Sequence, residues 1–549
     1  MKAPTWLTAR HLARLTKPVA LGDITLIPHS LSGMTLSLEW LHEIADRRIP
    51  YDGEKRLREI LLNWWRGNHV LAQALPPYLH YPEIERYDTF VLVSQLVIHY
   101  QRYCEYYKRE PVWIRTTPRI LKAHLRNEQW LWSEHIDHFD SGGVIPCSGI
   151  GYTIEWNGLI EEVNHALHVE RLGGLRQLSL LNNVGAINED NVWFSQPLYP
   201  HTRWRHVLDA TVIAALIARN NKLSPDLTAT LLMAAFTHDL RLPAGGDMTK
   251  FLANHLFDED ANYASLLCFN EVQQVCNAHR INEQTLVETV QGHGVLGNIL
   301  DLADKIAYVA RDAQYCTQWM RGPRPVMSWD IDHLLEHFPN ICTIWDAIIV
   351  RDGRVFCDDA DRLARFLYLR ACLITMFYNN PEVQFLEAIL GGLVLSHLYE
   401  TNVITKEKLL TYDDDWLFYH LLRFLFPNKV VGGSPGIDPK ELGRPHYRQY
   451  ETLAEARTDE DKLIAQGFIT TIMSIEIEPK PGIHLLVSDH GAITPLSIAR
   501  PDLSRDIEQR AHILLPHRLY WIEEPTLNRV VIDQLRRIRQ NQLTKELSR

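Results

Sequence analysis

The chain has 549 residues, 46% of them hydrophobic, which is enough for two or three buried cores rather than one small stapled domain. With 56 basic against 67 acidic side chains the formal net charge is −11, which argues against a broad phosphate-attracting surface for nonspecific nucleic-acid binding. The 8 cysteines form no CxxC pairs and are too sparse for a disulfide scaffold, so a reducing cytoplasm is the expected compartment.

The first residues, MKAPTWLTARHLARLTKPVALGD, lack the uninterrupted apolar core of a secretory signal. The apolar stretch 388–398 is too short to span a bilayer, and no membrane association is expected. Residues 36–110 carry Leu, Trp, Tyr and charged side chains at helical spacing, broken at Pro50, Gly53 and Pro76-Pro77, which predicts a helical N-terminal region over 1–150. Between 130 and 156 the sequence turns irregular and glycine-rich (SGGVIPCSGIGYTIEW), marking a boundary or a surface loop.

Helices are predicted over 206–220 and 225–237, the second opened by Ser224 as N-cap with Pro225 at the first helical position. A further helix over 284–316 is expected to break at Gly292 and Gly294, because two closely spaced glycines weaken a helix interior. Helical periodicity resumes over 360–399, so 151–427 reads as an all-helical core with a helical extension. After Pro427 the segments FITTIMSIEIEP, IHLLVSDHG and HRLYWIEEP have the β-branched and aromatic content of strands, and 527–547 reads as an amphipathic helix. The expectation is a mainly α protein with a small α+β region over 428–549.

His206, the adjacent His238-Asp239 and Asp304 fall in the helical core, where ligands from separate helices can converge. Imidazole nitrogens with carboxylate oxygens suit a borderline divalent ion such as Mn, Fe, Co, Ni or Zn, and the carboxylates extend the choice to Mg. The His-Asp doublet ends a very apolar run, ATLLMAAFTHD, where a carboxylate is costly unless it is paired or bound to a metal. Asp304, Tyr308 and Asp312 advance by about 40° per step on a helix and share one face, with Lys305 alongside.

Four blocks in order, VERLGGLRQLSLL, HTRWRHVLDA, FTHDL and DLADKIAYVARD, resemble the HD-domain deoxynucleoside triphosphate triphosphohydrolases between residues 170 and 314. The resemblance implies an HD-type fold with His206, His238, Asp239 and Asp304 as metal ligands. It further implies Arg203 and Lys305 on the polyphosphate, Tyr308 and Asp312 on the sugar, and Gln177 and Leu178 near sugar or base. A planar Arg fork and a mobile Lys suit phosphate, and a Tyr packed under a deoxyribose leaves no room for a 2′-hydroxyl. The implied reaction is water attack on the α-phosphorus of a dNTP, releasing deoxynucleoside and triphosphate, and the implied assembly is a homo-oligomer.

The chain departs from the family after the doublet, reading Leu240-Arg241-Leu242-Pro243-Ala244-Gly245-Gly246-Asp247 where the family places two further histidines. The proton donor is therefore open among Asp247, Glu259 and Asp260, with His279 and His293 also nearby in sequence. The same departure leaves room for a phosphohydrolase acting on a monophosphate, a cyclic nucleotide or a nucleic-acid end. A third reading is a noncatalytic nucleotide sensor.

Overall fold

The computed structural model describes residues 19–28, 142–145, 150–154, 158–177, 186–187, 193–194, 202–252, 257, 262–320, 343–379, 381–425, 445–475, 482–489, 491–522 and 529–547. The predicted helical stretch 36–110 and the candidates Leu178, Glu259 and Asp260 lie outside them.

Strands β1 (Val19–Leu21) and β2 (Ile24–Pro28) join β3 (Gly142–Ile145) and β4 (Ile150–Ile154) in an antiparallel sheet of order β1-β2-β4-β3. The glycine-rich stretch, expected as a boundary or a surface loop, thus contributes two paired strands. Its Val144, Ile145, Ile150 and Ile154 favour extended backbone, and Tyr152 and Ile154 bury against the core. Helix α1 (Leu159–Leu167) follows, then a 3-10 segment (Val169–Gly174) and the small pair β5 (Ala186–Ile187) and β6 (Trp193–Phe194).

The centre of the molecule is α2 (Arg203–Asn220) packed against α3 (Pro225–Thr237) and α6 (Gly294–Met320). Helix α2 starts earlier than its apolar pattern does, because Thr202 caps it by accepting the Arg205 amide at 3.3 Å. Ser224 caps α3 with Pro225 in its first turn, as the sequence predicts. Val207, Leu208, Val212 and Leu216 of α2 and Leu231, Met233 and Phe236 of α3 are buried. Helices α4 (Asn270–Ala278) and α5 (Glu283–Val290) precede α6, and the predicted break falls at Gly292 and Gly294, whose φ angles of +76° and +71° only glycine adopts freely.

A hairpin, β7 (Ile348–Arg351) and β8 (Arg354–Cys357), interrupts the expected helical extension, turning through Asp352 and Gly353 with φ of +52° and +70°. Helix α7 (Ala360–Leu373) runs into a π-turn (Ile374–Tyr378), followed by α8 (Pro381–Glu387), a second π segment (Ala388–Leu395), α9 (Ser396–Glu400), α10 (Lys406–Thr411) and α11 (Asp414–Leu425).

The C-terminal elements are β9 (Pro445–Tyr450), α12 (Leu453–Ala465), β10 (Ile469–Ser474), β11 (Leu486–Asp489), β12 (Ala492–Pro495), α13 (Leu496–Ala499), α14 (Pro501–Ala511), β13 (His517–Ile522) and α15 (Arg529–Leu547). Strands β10-β13-β9 form one antiparallel sheet, while β11 joins β8 in the order β12-β11-β8-β7. The protein is mainly α with a strand-containing C-terminal region, and strands from both sides of residue 427 share that second sheet. Among the described residues no helix is long and apolar enough to cross a membrane.

Candidate metal centre

Three elements bring four side chains to one point. His206 lies in the first turn of α2, His238 and Asp239 follow directly on the last residue of α3, and Asp304 faces them from α6. The two imidazole Nε2 atoms are 3.3 Å apart. Asp304 Oδ1 is 2.8 Å from His206 Nε2 and 3.5 Å from His238 Nε2. Asp239 presents Oδ2 at 3.7 Å from His206 Nε2 and Oδ1 at 3.8 Å from His238 Nε2. Donor atoms of His206, His238 and Asp239 all lie within 4.8 Å of one another.

The chemistry of this set fits a divalent cation. The Nδ1–H of His238 donates to the Ala235 carbonyl at 2.9 Å, which fixes the ring and aims Nε2 at the cluster. Burial opposes the charged form of His238, but the carboxylates of Asp239 and Asp304 prevail and raise its pKa to about 9. Burial likewise opposes ionisation of Asp304, and its hydrogen bonds to His206 and His238 outweigh that, holding the carboxyl far below the usual range. Asp239 is also held low against burial, chiefly by Arg203, whose guanidinium donates to Oδ2 at 3.0 Å. The pocket stabilises positive charge where the imidazole nitrogens meet, the place a metal ion takes when it displaces a proton. His206, His238, Asp239 and Asp304 are the residues that would hold it.

The expected substrate face of α6 extends from this point. The Tyr308 ring lies 6.5 Å from that of His206, and its hydroxyl accepts from Arg370 Nε of α7 at 2.5 Å. Burial pushes the phenol up to about 12 despite the neighbouring Arg370. One turn on, Asp312 is 1% exposed and accepts a hydrogen bond from the Tyr378 hydroxyl. Burial raises the Asp312 carboxyl well above the carboxylate range. Lys305 is joined to Asp301 through both carboxylate oxygens, at 2.5 and 2.6 Å. Gln177 is 5% exposed, and its Oε1 has no hydrogen-bond partner among the described residues.

Asp247 sits in the 3-10 turn Gly246–Phe251, paired with Lys250 at 2.9 Å. The carboxylate is 52% exposed, and Lys250 and then Arg203 keep it below its ordinary value. His279 is directed elsewhere, to Glu162 at 3.0 Å.

Three residues at the site's margin escape sequence reasoning: Arg370 and Tyr378, which meet the α6 face, and Asp414. The Asp414 carboxylate, 1% exposed, accepts the Gly245 amide at 2.7 Å and the Arg176 amide at 2.8 Å. It thereby ties the segment bearing Asp247 to the segment bearing Gln177. In the sequence it stands in the run Asp413-Asp414-Asp415, which reads as a solvated helix start.

Neither a protein-family model nor a curated relative matches the sequence. Among solved structures the chain is similar to a hypothetical protein from Aquifex aeolicus, at 16% identity and a TM-score of 0.45 over 66% of this chain and 92% of that one. It is also similar to a phosphohydrolase from Bacteroides thetaiotaomicron, at 14% identity and a TM-score of 0.48 over 66% of this chain and 95% of that one.

Proposed function

We propose that this protein is a metal-dependent phosphohydrolase that splits deoxynucleoside triphosphates into deoxynucleoside and inorganic triphosphate. The observation that carries the reading is the convergence of His206, His238, Asp239 and Asp304 from three separate elements, with Tyr308 and Asp312 continuing the same helix face away from it. A divalent ion held there by His206, His238, Asp239 and Asp304 would supply Lewis acidity and lower the pKa of water near it. Arg203 holds Asp239 in place and, with Lys305, supplies cations against the charge that develops on phosphoryl oxygens. The neutral Tyr308 phenol and the buried Asp312 form the wall against which the sugar packs, and Arg370 fixes the phenol from behind.

Asp247, held ionised by Lys250 and Arg203, suits orienting a water rather than donating a proton. A homo-oligomeric assembly belongs to the same reading. The segment after His238-Asp239, which offers an Asp247–Lys250 ion pair instead of histidines, favours a second reading in which the substrate is another nucleotide or phosphoester.

The test is to strip the protein of metal, add back Mg, Mn or Co, and present each dNTP, rNTP, nucleoside monophosphate and cyclic dinucleotide, with Asp304→Ala in parallel. The expected result is release of deoxynucleoside and triphosphate that Asp304→Ala abolishes. Turnover confined to monophosphates or cyclic dinucleotides selects the second reading, and silence across the panel removes both.

A further inference from the structure

Arg518 of β13 is the most deeply buried cation among the described residues, at 0% exposure. Its Nη1 lies 3.1 Å from the Asn379 carbonyl, 2.5 Å from Gln384 Oε1 and 3.1 Å from the Tyr520 hydroxyl, sharing its two protons among these acceptors, and the guanidinium lies 5.4 Å from the centre of the Tyr447 ring. These partners are all neutral, and no ion pair to Arg518 is present among the described residues. Burying a guanidinium without a carboxylate is expensive, whereas a hydrophobic side chain fills such a place at little cost. What distinguishes Arg518 from a filler is the set of acceptors it gathers.

Those acceptors close the π-turn Ile374–Tyr378. The Asn379 amide returns to the Ile374 carbonyl at 3.1 Å and the Asn379 side chain reaches the same carbonyl at 2.8 Å. Gln384 in turn donates to Asn379 Oδ1, so a single cation holds both ends of the link between the π-turn and α8. A π-turn carries an extra residue and is less stable than the α-helix it interrupts, so it persists where something fixes it. Its last residue is Tyr378, whose hydroxyl donates to Asp312 and whose ring meets that of Tyr308 at 6.3 Å. A continuous chain of contacts therefore runs from the C-terminal sheet through Arg518, Asn379 and Tyr378 to the two α6 residues that wall the sugar.

We infer that Arg518 is a positioning residue that clamps the π-turn and so sets how sharply the site separates deoxyribonucleotides from ribonucleotides. The selectivity half of this inference rests on the proposed nucleotide hydrolysis; the mechanical half does not.

The experiment uses the full chain as wild type, Arg518→Gln, Tyr378→Phe and the double variant, with Arg518→Lys to keep the charge on a shorter, differently shaped donor. Denaturant unfolding of the four corners forms a double-mutant cycle. The expected result is that the two substitutions overlap, the double variant unfolding at a higher denaturant concentration than the two single shifts together require; simple additivity overturns the clamp. In the second arm, kcat/KM is measured with dGTP and GTP at saturating Mn. Arg518→Gln should lose about tenfold of the dGTP-over-GTP preference, the worth of one ordinary hydrogen bond in positioning, while Mn affinity holds. An equal fall with both nucleotides marks Arg518 as structural only and overturns the selectivity claim. If the wild type turns over neither nucleotide, the proposed substrate is wrong and the selectivity claim falls with it, while the cycle still decides the clamp.

Discussion

Replacing Asp209 should cost the protein a large part of its stability, and the size follows from what the carboxylate touches. Asp209 lies on α2 one turn beyond His206, with a 0% exposed side chain, and Oδ2 accepts from Arg311 Nε of α6 at 2.5 Å. Its other oxygen accepts the Tyr152 hydroxyl of β4 at 2.7 Å, and burial together with the Asp209 charge drives that phenol far above its ordinary range. Asp209→Ala takes a carboxylate partner from the Arg311 guanidinium, which is 3% exposed. Breaking one side of a buried pair costs about 3–5 kcal/mol, and leaving the Tyr152 hydroxyl without its acceptor adds about 1–3 kcal/mol. Set against a typical total of about 5–15 kcal/mol, the variant should be near the edge of folding. Urea unfolding followed by far-UV circular dichroism measures the loss. Removing the buried cation as well, in Asp209→Ala with Arg311→Met, should recover part of it. A single-variant loss under about 1 kcal/mol, or a double variant that sums the two singles, refutes the reasoning.

Asp414→Asn removes the charge that receives the Gly245 and Arg176 amides, so each bond loses charge assistance worth about 1 kcal/mol or more; turnover should fall with Mn affinity intact, and a variant with wild-type kcat contradicts this. Glu387 provides the pH test: burial first, then the Asp247 charge, raises its pKa from 4.5 to about 8, with Lys250 opposing. Between those values the folded state holds a proton that the unfolded chain has released, so stability drops as pH rises from about 4.5 to about 8 and stays lowered above it. Glu387→Gln should therefore melt higher than wild type near pH 9 and alike at acid pH, and a difference that is flat with pH sinks the assignment. Arg203→Lys keeps a cation but loses the Nη1 donor that holds Asp239 Oδ2, so both KM and metal affinity should worsen by about tenfold, read by steady-state kinetics and calorimetry.

Much of the centre was legible because its signals are local. The apolar run that ends at His238-Asp239 is α3, Ser224 and Pro225 mark its start, and Gly292 and Gly294 mark where α6 begins. Asp304, Tyr308 and Asp312 share a face by helical arithmetic alone. The hairpin at β7 and β8 had a readable cue in the Asp352-Gly353 turn between β-branched residues, which the helical pattern on either side obscured. What no local pattern carries is the margin of the site. Arg370 meets Tyr308 across 62 residues, Tyr378 meets Asp312 across 66, and Asp414 meets Arg176 across 238. The π-turn that delivers Tyr378 has no propensity signature of its own and is held by Arg518 from a strand near the end of the chain.

The most direct test of the account is calorimetric titration of chelator-stripped protein with Mn, in wild type and in Asp304→Ala. The one such group among the described residues, His206, His238 and Asp239 with donor atoms within 4.8 Å and Asp304 beside both imidazoles, predicts a single ion at this centre, bound with release of protons, and lost in the variant while its circular dichroism is preserved. Binding of the same strength in Asp304→Ala, or none in the wild type, contradicts the assignment of these four residues as a metal centre.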